Sequence, residues 1–179
     1  HHKNTSDPAT DHLLLNTNDA TVDSATRFDD TAPNGTEVAC GNNAVINGDG
    51  STYVCWAWKE VKGFSKFGKY TGNGSADGPL VYTGFKPAWL MTKRTDSADH
   101  WRIVDNSRNT TNNGALAGIK ANQNESESDA GNRNIDFLTN GFKMRDTDVD
   151  SNASSGTYVY MAFAEHPFVS SEGVPVTAR

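Results

Sequence analysis

The strongest constraint on the fold of this chain is an internal repeat in its sequence. Residues 50–60 align without a gap with residues 155–165, and the segments before them also run in step. Phe28-Asp29 corresponds to Ile135-Asp136, and Asn34-Gly35 to Asn140-Gly141. A match of this length and order indicates a duplication. The identities are Thr52 with Thr157, Tyr53 with Tyr158, Val54 with Val159, Ala57 with Ala162, and Glu60 with Glu165.

The two copies differ in length. The second contains a segment, Phe64 to Asn106, that has no counterpart before His1. We therefore predict that residues 1–62 are the C-terminal half of a first repeat and that residues 63–179 are a complete second repeat with a C-terminal tail. The doublet His1-His2 is either the end of a native strand or the remainder of a purification tag.

Composition and turn signals predict an all-β antiparallel fold. Asn, Asp, Gly, Ser and Thr dominate, whereas the helix formers Leu, Glu and Lys are scarce. Asn-Gly pairs at 34, 47, 73, 113 and 140 separate short apolar runs, which is typical of a sandwich or barrel, and Asn140-Gly141 indicates a two-residue hairpin. We expect under about a tenth of the chain to be helical.

The strands that the pattern predicts fall in both copies. In the second copy they are Ser65–Tyr70, Leu80–Thr83, Ala88–Lys93, Trp101–Asp105, Leu116–Asn122, Ile135–Thr139, Phe142–Arg145 and Tyr158–Glu165. In the first copy they are Leu13–Asn16, Ala25–Phe28, Val38–Cys40 and Tyr53–Lys59. The duplication predicts that residues 50–60 and 155–165 form equivalent strands in two half-sandwiches that superpose.

Alternation along these strands predicts which side chains face the core. In the last strand the inward set is expected to be Val159, Met161 and Phe163. The first copy has Val54, Trp56 and Trp58 at the equivalent positions, and further bulk is expected from Trp89, Met91, Trp101 and Ile103.

Charge and hydropathy exclude two classes of partner. The net charge is −6, and Lys and Arg are scattered among acidic residues, so nucleic acid is not an expected partner. The longest apolar stretch, near Tyr53–Trp58, is too short to span a bilayer. The cysteines, Cys40 and Cys55, either face each other across a hairpin as a disulfide or, the favoured interpretation, are free packed thiols.

The sequence offers little that indicates catalysis, so neither an enzyme nor a cofactor is expected. The histidines His1, His2, His12, His100 and His166 lack metal-ligand spacing outside the terminal doublet, and there is no Gly-x-Ser-x-Gly element and no phosphate loop. Two carboxylates brought together by folding stay open as an alternative, because sequence does not show spatial pairing.

One acidic loop is a weak candidate for a calcium site. Asp146, Asp148, Asp150 and Asn152 alternate as oxygen ligands would, but Ser151 and Thr157 stand where an EF-hand needs Gly and Glu. An ordinary solvated hairpin loop is the favoured interpretation, so no metal is expected.

An ordered series of motifs resembles an uncharacterised repeat in structural proteins of marine tailed phages, which often occurs beside concanavalin- or laminin G-like domains. The resemblance covers nearly the whole chain. It is carried by Gly63-Phe-Ser-Lys-Phe-Gly-Lys-Tyr-Thr-Gly-Asn-Gly74, Tyr82-Thr-Gly-Phe-Lys-Pro-Ala-Trp-Leu-Met-Thr-Lys-Arg94, Trp101-Arg-Ile-Val104, Phe137-Leu-Thr-Asn-Gly-Phe-Lys-Met144 and Tyr158-Val-Tyr-Met-Ala-Phe-Ala-Glu-His-Pro-Phe168.

The resemblance implies a jelly-roll or concanavalin-like sandwich on the virion surface, in a tail fibre, a spike or a capsid-bound fibre. It also favours a homotrimer that contacts other virion proteins and host-surface glycans, and it transfers no catalytic residue. Two alternatives stay open: a lectin-like carbohydrate-binding module and a purely architectural assembly protein. Weak candidates for glycan contact are Tyr82, Trp101 and Tyr160.

Overall fold

The structure is a computed structural model that describes residues 1–108, 117–127 and 134–166. Short antiparallel strands dominate it, and the two helices in the described ranges are single turns of four residues. The prediction of an all-β chain with little helix is therefore confirmed. The elements in chain order are β1 (Asp11–His12), β2 (Val22–Asp23), α1 (Ala44–Asn47), β3 (Ser65–Thr71), β4 (Leu80–Tyr82), β5 (Pro87–Arg94), β6 (Arg102–Asp105), β7 (Gly118–Lys120), β8 (Ile135–Leu138), β9 (Gly141–Met144), α2 (Val149–Asn152) and β10 (Thr157–Ala164).

Two sheets form the sandwich. The larger has the strand order β3-β10-β5-β6-β7, and the smaller has the order β4-β9-β8. All neighbouring strands in both sheets are antiparallel. These eight strands correspond to the eight predicted for the second copy, and seven of the predictions are confirmed to within one residue at each end. The eighth, β7, lies inside the predicted Leu116–Asn122, of which Leu116 is outside the described residues. A separate two-stranded ribbon, β1-β2, comes from the N-terminal part of the chain.

The core lies between the two sheets and is rich in aromatic residues. Phe142 of the smaller sheet contacts Tyr160 edge-on at 5.1 Å between ring centroids, and Tyr70 stacks on Tyr158 at 5.0 Å. Each fully buried apolar side chain contributes roughly 1.5–3 kcal/mol. The buried core cluster consists of Tyr70, Val81, Phe85, Leu90, Val104, Ile135, Phe137, Phe142, Met144, Tyr158, Tyr160 and Ala162.

The predicted inward face of β10 is wrong. Tyr158, Tyr160 and Ala162 point into the sandwich, so Val159, Met161 and Phe163 lie on the opposite face of the sheet. Both faces of this strand are apolar, and alternation alone distinguishes two sets without saying which set meets the second sheet. The half-buried residues Trp89, Met91, Trp101 and Ile103 also lie outside the core cluster.

The N-terminal segment covers part of this outer face. The ring of His2 lies edge-on to Phe67 at 6.4 Å, and its Nε2 is 3.0 Å from the carbonyl oxygen of Tyr160. Trp101 donates its indole N–H to the carbonyl of Leu14 at 2.8 Å. Burial lowers the pKa of His2 below its ordinary value, which favours the neutral ring in this contact.

The strands predicted for the first copy do not form. Residues 13–16, 25–28, 38–40 and 53–59 have no strand structure, and residues 51–59 are all exposed. A strand needs a neighbouring strand for its backbone groups, and within the described ranges no strand pairs with these residues. The prediction that residues 50–60 and 155–165 are equivalent strands is therefore wrong for this structure. The division into repeats at residues 62 and 63 stays a prediction.

Gly141, predicted as a turn residue, lies instead at the start of a strand that passes close to its neighbour. Leu138 pairs with Gly141, so the two-residue loop consists of Thr139 and Asn140, and Gly141 already belongs to β9. A Cβ on Gly141 would lie 2.1 Å from the carbonyl oxygen of Val81. Glycine is therefore required there for the close approach of β4 and β9.

Candidate functional site

A shallow groove of about 550 Å³ opens where β5 begins beside the end of β6. Trp89 of β5 is paired with Asp105 of β6. An aromatic and an acidic side chain therefore lie next to each other in the wall of the groove. The lining residues are Ala88, Trp89, Asp105, Asn106, Ser107, Arg108 and Glu127.

Trp89 provides the apolar surface of the groove. Its ring is half-buried and packs against Phe163 of β10 with 5.6 Å between centroids. Phe163 in turn contacts Phe64 at 5.8 Å and Phe67 at 6.2 Å, both edge-on. The aromatic surface of the groove is therefore the end of a row of rings on the outer face of the sheet, which limits the movement of Trp89.

An ion-pair chain fixes the polar side of the groove. Arg108 donates through Nε to Asp105 Oδ2 at 2.6 Å and through Nη1 to Glu127 Oε2 at 2.9 Å. Asp105 Oδ1 also accepts the backbone N–H groups of Ser107 and Arg108, both at 3.0 Å. The hydrogen bond with Asp105 is the main cause that raises the pKa of Arg108 above its ordinary value.

A second set of contacts holds Asn106. Its backbone N–H donates to the carbonyl of Ala88 at 2.9 Å, and its side-chain amide donates to Glu165 Oε1 at 3.0 Å. Lys86 pairs with the other oxygen of Glu165 at 2.9 Å. The amide oxygen of Asn106 and the guanidinium of Arg108 are thus oriented by neighbours before any ligand arrives.

The groove combines an aromatic face with oriented donors and acceptors around it. A planar ring can pack against the C–H face of a sugar, while carboxylate, amide and guanidinium groups match hydroxyls. An open site of this kind suits a flat segment of an oligosaccharide better than an enclosed small molecule.

Sequence reasoning missed this groove, although one local signal was present. Asp105-Asn-Ser-Arg108 begins at the last residue of a predicted strand, and an Asp side chain at that point tends to bind backbone N–H groups two and three residues later. The contributions of Glu127 and Glu165 depend on tertiary contacts and have no local signal.

A family model fits this chain over residues 1–167, which is most of its length, and its description is a domain of unknown function, DUF7483. The chain belongs to the DUF7483 family. The match runs across the repeat boundary predicted at residues 62 and 63. No curated protein and no solved structure matches this DUF7483 chain significantly.

The weak calcium candidates of the DUF7483 chain lie together around α2, where they make protein contacts. Asp146 accepts Arg102 Nη1 at 3.0 Å through Oδ2, and Ser151 Oγ at 2.8 Å through Oδ1. Asp148 caps α2 through the N–H of Asp150. Within residues 1–108, 117–127 and 134–166, no group of three or more His, Cys, Asp or Glu side chains could hold a metal ion.

The other two members of that loop also have structural roles. Asp150 accepts the backbone N–H of His100 at 3.1 Å, and Asn152 donates to the carbonyls of Ser75 and Asp146 at 2.8 and 2.6 Å. Because Arg102 lies against Asp146 and both side chains are buried, a guanidinium occupies the place beside this carboxylate where a cation would bind. Burial raises the pKa of Asp146, while Arg102 opposes that shift.

The three aromatic glycan candidates lie in different environments. Tyr82 is exposed on the smaller sheet, whereas Trp101 is half-buried with its indole N–H bound to Leu14. Tyr160 is 3 % exposed and belongs to the core, so it is not part of the surface. The structure therefore brings none of these three residues together with another, and it places Trp89 in the groove instead.

The histidines and cysteines that the sequence singled out are also separated. His100 is held by Asn122 at Nδ1 and by Gln123 at Nε2, at 2.9 and 3.3 Å. Cys40 and Cys55 are both free, as favoured, but they are exposed rather than packed. No helix in the described part of the chain has the length and apolar character that crossing a bilayer requires.

Proposed function

We propose that this DUF7483 domain is a non-enzymatic module of a phage virion, displayed on the virion surface in a fibre or spike, where it contributes to host attachment. The resemblance of its motifs to marine tailed-phage structural proteins supports the virion setting. The groove at Trp89 is the observation that carries the attachment role, because its aromatic and ion-paired polar groups suit a surface polysaccharide.

The module acts as a homo-oligomer, with a trimer as the favoured count, beside other virion proteins. A shallow groove binds weakly by itself, and several copies on one particle multiply a weak affinity through effective concentration. Light scattering on the purified chain measures this count. A monodisperse monomer over a wide range of protein concentrations would contradict the trimer.

A glycan array tests the attachment role. The chain is displayed on a multivalent carrier and probed against bacterial surface polysaccharides. We expect specific binding that Trp89→Ala and Arg108→Ala abolish, with Trp56→Ala, an exposed aromatic outside the groove, as the matched control. Thermal unfolding of each variant separates loss of binding from loss of fold.

Two results would overturn this assignment. Absence of binding to any polysaccharide by the multivalent chain would remove the attachment role and leave the architectural alternative. Binding that survives Trp89→Ala but is lost in Tyr82→Ala would move the site to the smaller sheet, where Tyr82 is 69 % exposed.

The architectural alternative has one observation in its favour. The segment Tyr53–Trp58 exposes large apolar side chains, which is a property of surfaces that meet other chains. Images of the intact particle that place the domain between other proteins, with its groove covered, would favour this alternative over attachment.

A further inference from the structure

The segment Tyr53–Glu60 is apolar, exposed and held at both ends. Val54, Trp56 and Trp58 are 82 %, 78 % and 57 % exposed. At one end the Tyr53 hydroxyl donates to the carbonyl of Ala44 at 2.7 Å and accepts the N–H of Gly48. At the other end Glu60 pairs with Lys3 and Lys66, so the segment is fixed in place although no sheet covers it.

Its backbone lacks the pairing that a strand has. Residues 51–60 have no regular secondary structure, and within the described ranges no hydrogen bond is made by the backbone groups of residues 53–58. Backbone N–H and C=O groups in an apolar segment are a template for another strand. The segment therefore combines unused hydrogen-bonding groups with unused apolar surface.

The internal repeat identifies which strands such a segment fits. Tyr53–Glu60 corresponds to Tyr158–Glu165, most of which is β10. That strand lies between β3 and β5, pairs with both, and is buried on its core face. The exposed residues Val54, Trp56 and Trp58 correspond to the outer face of β10, and Tyr53, Cys55 and Ala57 to its core face.

The slot that β10 fills in this chain does not fit the segment. Tyr160 lies against Gly68, where a Cβ would be 2.6 Å from the ring, and it contacts Phe142. The segment has Cys55 at that position, which is too small to replace the ring. A fitting partner therefore has a larger side chain at the position of Gly68.

We propose that Tyr53–Glu60 is a donor strand that completes another unit of the same repeat. The partner is a half-sandwich equivalent to residues 63–106, with strands like β3 and β5 but no last strand of its own. The donor strand inserts between those two strands, with Tyr53, Cys55 and Ala57 facing inwards. Assembly through this donor strand does not depend on glycan binding.

The test uses the full chain with a second copy of residues 63–106 added before His1. The added copy carries Gly68→Phe. The segment has Cys55 where β10 has Tyr160, and the phenylalanine ring on the neighbouring strand fills the space that the tyrosine ring would occupy. Hydrogen–deuterium exchange with peptide-level mass spectrometry measures protection of residues 53–60. In the unextended chain these amides exchange without protection, and in the extended chain we expect protection comparable to that of β10.

Ala57→Pro is the matched variant, because proline removes one amide and disrupts a central strand. It leaves the unextended chain unchanged, and it abolishes protection of both the segment and the added copy in the extended chain. Protection of the added copy is read on the peptide that carries Gly68→Phe, because its other peptides have the same sequence as the resident strands. Two outcomes would overturn the proposal: that peptide is protected beside an unprotected segment, or it stays unprotected although the segment is present. In either case β10 protection shows that the resident sandwich is intact.

Discussion

At the scale of single residues, two cationic side chains are removed from solvent in the larger sheet. Lys93 is fully buried and its Nζ donates to the carbonyl of Arg94 at 2.6 Å, whereas Arg102 is buried in an ion pair with Asp146. A buried charge costs stability unless its partners offset the loss of water. Arg102 has a buried carboxylate as its partner, whereas Lys93 has a backbone carbonyl, which offsets less of the cost.

Lys93 is expected to make stability depend on pH in the alkaline range. Burial lowers its pKa from 10.5 in the unfolded chain to about 8 in the folded protein. Between these values the unfolded chain binds more protons, so the free energy of unfolding rises with pH, by about 3 kcal/mol at most. Below pH 8 the full cost is present.

Substitution isolates this contribution. Lys93→Met should lose the rise between pH 8 and pH 10.5, and it should be more stable than the original chain below pH 8, as measured by urea unfolding. Lys69→Met, on the exposed edge strand β3, is the control and should keep the rise. An unchanged slope in Lys93→Met would show that another group causes it.

Arg102 is expected to be essential to the fold because Asp146 is buried beside it. Arg102→Met leaves a carboxylate without its cation and should cost about 3–5 kcal/mol in the free energy of unfolding. Adding Asp146→Leu removes the unpaired charge and should recover much of that loss. Arg145→Met, in a half-exposed pair with Asp136, should cost less than about 1 kcal/mol. A double variant as unstable as the single one would contradict the explanation.

At the scale of elements, the contact between β3 and β10 depends on a glycine, which has no side chain. Gly68 is opposite Tyr160 in the register, and the tyrosine ring occupies the space above it. The phenol is buried in the core cluster, and burial raises the pKa of Tyr160 to about 12. The close fit of one strand to the next is therefore set by a glycine and an aromatic residue together.

Gly68→Ala should destabilise the chain by about 1–3 kcal/mol, because the added methyl group forces the ring of Tyr160 to move. Gly35→Ala is the control, since nothing lies within 4 Å of its Cβ position. Chemical unfolding measures both. In a double-mutant cycle, Tyr160→Val should reduce the cost of Gly68→Ala, and an additive result would show that the ring is not the cause.

At the scale of the whole molecule, the segment Tyr53–Trp58 contributes little to the stability of this chain by itself. Trp56 and Trp58 contact each other edge-on at 6.5 Å but are largely exposed. Replacing both with serine should change the free energy of unfolding by no more than about 0.5 kcal/mol. A loss of several kcal/mol would show that these rings are buried in solution. Thermal or urea unfolding at low protein concentration provides the measurement.

The sequence by itself determined where the strands of the second copy lie. Turn residues such as Asn140-Gly141 and the alternation along residues 158–163 are local signals, and local signals predict element type and bounds. The same reasoning applied to residues 53–59 predicted a strand that does not form, because strand formation also needs a neighbour. The strand propensity of a segment depends on its own residues, whereas strand pairing depends on residues far away in the sequence.

Only the tertiary structure decided the faces and the sites. Alternation in the sequence places Tyr158 and Tyr160 on one face of the strand and Val159 and Met161 on the other. The position of the second sheet determines that the tyrosine face is the core. Likewise Arg102 meets Asp146, and Arg108 meets Glu127, only through folding. Long-range contacts between charged groups leave no periodic signal in the chain, so the ion pairs around α2 and at the groove were not predictable from local pattern; only the turn at Asp105 had a local signal.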